Sequence, residues 1–243
     1  MTSLFVQVLL ALMMLPWILA VLLILVVSRI RRDKRKRWQD FVTALGLLTL
    51  AYAGTRLNLW MSERFPHTID ARLWQWNVAL RLDPITVVYF MEAHEILWYA
   101  MEAVHASLAI VMAIAWLVEQ NPMLRRAVAI AWVGGWILSA ALPAVGPHWY
   151  LDGYSVTMRH CIPAIEWTWA LLLAINARSR LRAPLWIYAG LLAIAEILLG
   201  EHYLADLIVA LPYAFAVQWL AARAPELVAK FRPVRANVAD VQP

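Results

Sequence analysis

Residues 200–213 read GEHYLADLIVALPY. His202 and Asp206 stand four apart at the mouth of an apolar run, where a purely lipid-facing segment has no use for them. On a helix, positions i and i+4 share a face. A carboxylate there accepts the proton of one imidazole nitrogen. That fixes the tautomer and leaves the other nitrogen's lone pair for attack on an electrophile. A histidine at a helix start, satisfied by a local aspartate, has the same spacing. Glu92, His94, Glu95, Glu102, His105, Glu166 and Glu196 also fall within or beside apolar runs. Ionisable groups are costly in lipid and turn toward a bundle interior, so these are the remaining candidates for chemistry.

The elements that must position them follow from composition. Of 243 residues, 63% are hydrophobic and 15% charged, and mean hydropathy is +0.65. A soluble domain cannot hide that much apolar surface, whereas a multi-span membrane protein need not. The expected fold class is all-α, a polytopic membrane bundle of about six to seven helices, because lipid offers the backbone no hydrogen-bond partners. Seven spans are expected at 4–28, 40–60, 97–118, 127–145, 163–177, 185–200 and 203–222. The fifth and sixth are short for a core that needs about 20 residues, so both are expected to extend into their flanks. The stretch 84–118 is too long for one upright helix. It divides into an interfacial segment to about 96 and a span from 97.

The basic residues then sort by side. Sixteen lie after the odd spans: Arg29 to Arg37, Arg125 and Arg126, Arg178 to Arg182, and the tail. Five, namely Arg56, Arg64, Arg72, Arg81 and Arg159, lie on the other side. The positive-inside rule puts the N-terminus outside and the tail in the cytoplasm. The expected organisation is a two-helix segment with a basic cytoplasmic loop (1–60), an outer loop with an interfacial helix (61–96), a transmembrane core (97–222) and a flexible cytoplasmic tail (223–243). A bacterial inner membrane is the expected location, with membrane lipids as partners. Nucleic acid is not expected, since the basic residues flank apolar spans. One cysteine, Cys161, excludes an intramolecular disulfide. Trp60, Trp74, Trp76, Trp149, Trp167 and Trp169 are expected at the outer interface. Trp38, Trp116, Trp186 and Trp219 are expected at the inner one.

Gly200-Glu201-His202-Tyr203-Leu204-Ala205-Asp206 resembles the last motif of the type 2 phosphatidic-acid phosphatase superfamily, in its inositol-phosphorylceramide synthase-like branch. Arg159-His160-Cys161-Ile162-Pro163-Ala164-Ile165-Glu166-Trp167-Thr168-Trp169-Ala170 resembles its middle motif, P-S-x-H with a trailing Trp-Ala. Gly146-Pro147 also looks like that branch. The resemblance spans roughly 84–222 and implies a phosphatidic-acid-phosphatase-like core. It further implies a lipid phosphatase or phosphotransferase working through a phosphohistidine intermediate, without a cofactor. On that likeness His202 is the nucleophile and Asp206 orients it. Glu166 stands where the family has its acid histidine, and Arg159, with Arg81 or Arg72, grips the phosphate on the extracytoplasmic side.

The chain departs from the family at three points. Ala164 and Glu166 replace the serine and histidine, Glu196 stands where an arginine is expected, and no K-x6-R-P motif occurs. Two other readings therefore stand beside the first. One is a non-catalytic, lipid-binding relative. The other is a metal-dependent membrane enzyme using His94, Glu95, Glu102 and His105. An unbroken helix would turn only about 80° from His94 to Glu102 and about 20° from His94 to His105. Glu102 and His105 also form E-x-x-H, a spacing used in helix-bundle metal sites.

Overall fold

A computed structural model describes residues 4–30, 33–64, 67–151, 160–178 and 180–230. They are nearly all helical. The helices are α1 (Leu4–Ile30), α2 (Lys34–Arg64), α3 (Asp70–Ala79), α4 (Pro84–Glu92), α5 (Glu95–Ala106), α6 (Leu108–Glu119), α7 (Pro122–Ala141), α8 (Pro147–Leu151), α9 (Ile165–Asn176), α10 (Arg182–Leu198) and α11 (Leu204–Lys230). Two short strands, β1 (Pro143–Ala144) and β2 (His160–Cys161), pair antiparallel, with Ala144 opposite His160.

Three helical runs among the described residues are long and apolar enough to cross a membrane: Glu95–Glu119, Pro122–Ala141 and Leu204–Leu227. Their outward faces carry bare apolar side chains such as Ile137, Ile208 and Phe215. A contiguous apolar exterior of this kind suits lipid rather than water. The segment Met14–Ile30 of α1 and all of α9 are apolar but shorter.

Helix boundaries follow local chemistry. Asp83 caps α4 by accepting from Ile85 N, and Asn121 caps α7 by accepting from Met123 N. Each is followed by proline at the first helical position, where the missing N–H costs nothing. The stretch 84–118 breaks twice. His94, with φ −126° and ψ 66°, separates α4 from α5. Ser107 then marks a weaker interruption before α6, with its hydroxyl bonded to the Val104 carbonyl. The helix at the expected fourth span, α7, stops at Ala141, short of 145. Leu142 precedes a proline, is driven out of the helical region (φ −132°), and leads into β1.

α9 sits at the centre and packs against α6, α7, α10 and α11. Nine of its twelve residues are buried. It is therefore apolar all round, as an interior helix must be. It does not extend into its flanks as expected; at about 18 Å it needs no lipid contact of its own. Trp17, Trp132 and Trp169 form an aromatic cluster beside it, with Trp169 4.7 Å from Trp132 and 5.9 Å from Trp17 between ring centroids. Trp169 and Trp116 are thus packed in the protein core. Trp38, Trp60, Trp76, Trp186 and Trp219 are exposed.

At one end of the bundle, Asn176 donates to Gln218 Oε1 and Gln218 returns a bond to Asn176 Oδ1. Asn121 donates to the Asn176 carbonyl there, and Glu119 accepts from Arg178 N. α11 does not stop at residue 222. Its AARAPELVAK segment is rich in strong helix formers and runs helical to Lys230, where a loose tail was expected. Residues 231–243 lie outside the described residues.

Candidate functional site

At the opposite end of the bundle three helix termini converge: the start of α9, the end of α10 and the start of α11. They bring Glu166, Glu196, His202 and Asp206 together from separate elements. Glu166 is in the first turn of α9 and Glu196 in the last turn of α10. His202 lies in the tight turn joining α10 to α11, and Asp206 is the third residue of α11.

The His202–Asp206 pair forms through a helix cap and not through a shared helical face, because His202 precedes the helix. One Asp206 oxygen, Oδ2, accepts from Tyr203 N at 2.9 Å and lies 3.2 Å from His202 Nδ1. The backbone bond is half of a capping box, in which the third residue reaches back to the residue before the helix. One carboxylate thus starts the helix and aims the imidazole. Nε2 faces Glu166 Oε2 at 3.5 Å. His202 and Asp206 are buried, while the Glu166 side chain keeps about a third of its surface open. Burial disfavours the imidazolium, but hydrogen bonds to the Asp206 and Glu166 carboxylates and the charge of Glu196 outweigh it. The pKa of His202 is held well above its ordinary value.

Glu196 is fully buried, and neither carboxylate oxygen has a hydrogen-bond partner among the described residues. One ligand atom each from Glu166, Glu196 and His202 lies within 4.8 Å of the other two.

The turn carrying His202 is fixed by residues that the sequence motifs did not mark. Asp70, at the start of α3, is fully buried. It accepts from Val145 N and Gly146 N, both at 3.1 Å to Oδ1, and from the Tyr203 hydroxyl at 3.0 Å. Asn77 Oδ1 accepts from Leu204 N at 3.1 Å. Gly146 and Gly200, both with positive φ, let the 146–148 and 200–201 segments press together, and His148 N donates to the Gly200 carbonyl at 3.0 Å. A Cβ on Gly146 would collide with the Glu201 carbonyl. No spacing rule joins residue 70 to residue 203. A buried acid opening a short helix is the one signal that could have drawn attention to it.

The other expected residues fall elsewhere. Arg159 lies outside the described residues. Arg72 on α3 and Arg81 in the turn after it are exposed. His94, Glu95, Glu102 and His105 do not gather into a ligand group. The unbroken helix that would have stacked them is interrupted at His94, which instead lies against Phe90 with Nδ1 2.6 Å from the Phe90 carbonyl. His94 and Glu95 are exposed, while Glu102 lies within electrostatic reach of His105, His148 and Glu201.

The chain matches no family model, no curated protein and no solved structure.

Proposed function

We propose that the chain is an integral membrane enzyme that acts on a lipid phosphoester, transferring the phosphoryl-bearing group to water or to an acceptor hydroxyl. The supporting observation is an imidazole held on both sides, Nδ1 to Asp206 and Nε2 toward Glu166. That is the arrangement an activated nitrogen nucleophile needs. In this reading the resting His202 is an imidazolium. Glu166 takes the Nε2 proton, and Asp206 keeps Nδ1–H and the ring orientation. The freed lone pair attacks phosphorus, the N–P bond forms, and the P–O bond to the leaving alcohol breaks. Glu166 then gives its proton to the departing oxygen. In the second half, Glu166 removes a proton from water or an acceptor hydroxyl. That oxygen attacks phosphorus, the N–P bond breaks, and Glu166 returns its proton to Nε2, which restores the resting imidazolium. Arg159, with Arg81 or Arg72, would neutralise the phosphoryl oxygens.

The reading includes a multi-span bundle with a phosphatase-like core and the site at the extracytoplasmic rim. What supports that side is the separation of charge along the bundle. Arg125, Arg126, Arg178, Arg180 and Arg182 cluster near the Asn121–Asn176 end, and His202 is at the other. The test is head-group release from phospholipids in mixed micelles. His202→Ala is expected to abolish turnover, and Glu166→Gln to lower it about 10²- to 10⁴-fold. Full retained activity in either variant removes that residue's role.

A further inference from the structure

Glu196 is the group that the phosphoryl reading does not use. It is fully buried, it sits at the end of α10, and its two oxygens lack hydrogen-bond partners among the described residues. Such a group is expensive unless something satisfies it. One of its oxygens lies within 4.8 Å of a Glu166 oxygen and of a His202 ring nitrogen, so two carboxylates and one imidazole nitrogen converge on one small volume, and Nε2 is the nitrogen on the Glu166 side. Asp206, opposite, holds the other imidazole nitrogen. Three acidic groups, Glu166, Glu196 and Asp206, act on one imidazole, and Glu196 also lies within electrostatic reach of Glu201.

We propose that Glu166, Glu196 and Nε2 of His202 form a binding site for a divalent transition-metal ion of the Zn²⁺ class, and that this ion and a phosphoryl group exclude each other from the same nitrogen. Mixed imidazole and carboxylate donors suit zinc and its neighbours rather than Mg²⁺, which keeps an all-oxygen, mostly water shell. Zinc takes such ligands at about 2.0–2.2 Å, so donors up to 4.8 Å apart must close by about 1 Å. Nε2 and Glu166 are already 3.5 Å apart, and Glu166 is the partly exposed, adjustable member. The same exposure leaves a fourth position open toward the rim for water. Asp206 then acts from outside the ligand set, as the carboxylate that accepts Nδ1–H of a metal-bound histidine and fixes its tautomer. The ion brings two positive charges into a cluster of acids.

The metal site does not depend on the lipid reaction, whereas the exclusion rests on that proposed reaction. The test uses purified full-length protein in detergent, stripped with chelator and titrated with Zn²⁺ by calorimetry and with Co²⁺ by visible absorption. The expected result is one equivalent of either ion per chain, with Co²⁺ absorption characteristic of a four-coordinate site. Glu196→Gln, which keeps the side-chain shape, is expected to weaken binding at least about 100-fold, and Asp206→Asn about 10- to 100-fold. Glu166→Gln supplies a second ligand variant at a less buried position, and Glu92→Gln on the exposed face of α4 is expected to bind like wild type. Wild-type binding no tighter than that of both Glu196→Gln and Glu166→Gln overturns the site. Lipid turnover is then followed with and without saturating Zn²⁺. Its loss on loading is expected, and undiminished or increased turnover overturns the exclusion. A metal-free enzyme that turns over no lipid at all counts against the proposed reaction and leaves the titration result standing.

Discussion

Asp70 is 133 residues from Tyr203 in the chain, yet its replacement is expected to be among the most damaging single changes in the molecule. Its carboxylate accepts from three buried donors, the Val145 and Gly146 amides and the Tyr203 hydroxyl. A hydrogen bond to a charged acceptor contributes about 1.5–3 kcal/mol, and a buried donor left without its partner loses its solvation as well. Three such bonds sum to about 4.5–9 kcal/mol, but members of one network are not additive. Removal of the acid also relieves the cost of burying it. Asp70→Ala is therefore expected to destabilise by about 3–5 kcal/mol. Tyr203→Phe, which removes one donor and leaves the other two satisfied, is expected to cost about 1.5–3 kcal/mol. Asp70→Asn should fall between them, because the amide keeps one acceptor oxygen. Reversible denaturation in detergent micelles measures all three. The turn carrying His202 hangs on the same network, so Asp70→Ala protein that remains folded should also lose most of its lipid turnover. An Asp70→Ala variant within about 1 kcal/mol of wild type, or a Tyr203→Phe variant as damaging as Asp70→Ala, would show that this carboxylate does not hold the turn.

Two further outcomes follow from the same geometry. His202 has a folded-state pKa well above its ordinary value of about 6.5, because the Asp206 and Glu166 carboxylates outweigh the effect of burial. Its contribution to stability is complete below the unfolded pKa and is lost as pH rises through the folded one. Thermal stability of wild type is therefore expected to fall on the alkaline side, while His202→Gln stays flatter across that window; parallel curves would contradict the ion pair. Gly146 has φ +85° and a Cβ there meets the Glu201 carbonyl, so Gly146→Ala combines a left-handed backbone cost of about 1–2 kcal/mol with about 1–3 kcal/mol of overpacking. A melting temperature unchanged from wild type would show that the 146 and 200 segments do not press together.

The helical character of the chain was legible because composition and apolar run length are strong signals. So was the meeting of residues 166, 202 and 206, since two short motifs placed each at a helix start. The route by which His202 meets Asp206 was not legible. A shared helical face was expected, and a cap geometry achieves the contact instead, because the turn at Gly200 delays the helix to Leu204. The His94, Glu95, Glu102 and His105 grouping does not form: the break expected near 96 falls at His94 and detaches that residue, and Glu95 to His105 spread over about 15 Å of α5. α9 is shorter than a span because it is surrounded by protein, a fact set by neighbours far away in sequence. Asp70 and Asn77 act across the fold on residues more than a hundred positions away. Glu196 was visible as a departure from a family pattern, but only the three-dimensional cluster shows that it faces Glu166 and His202.

The proposed reaction stands or falls on whether phosphorus ever becomes bonded to the imidazole of residue 202. Metal-free protein is mixed with phosphorus-labelled lipid, quenched in base within one turnover, digested and mapped by mass spectrometry. A base-stable, acid-labile phosphoryl adduct on His202, absent from His202→Ala, is the expected result. Steady turnover with no adduct at that residue would contradict it.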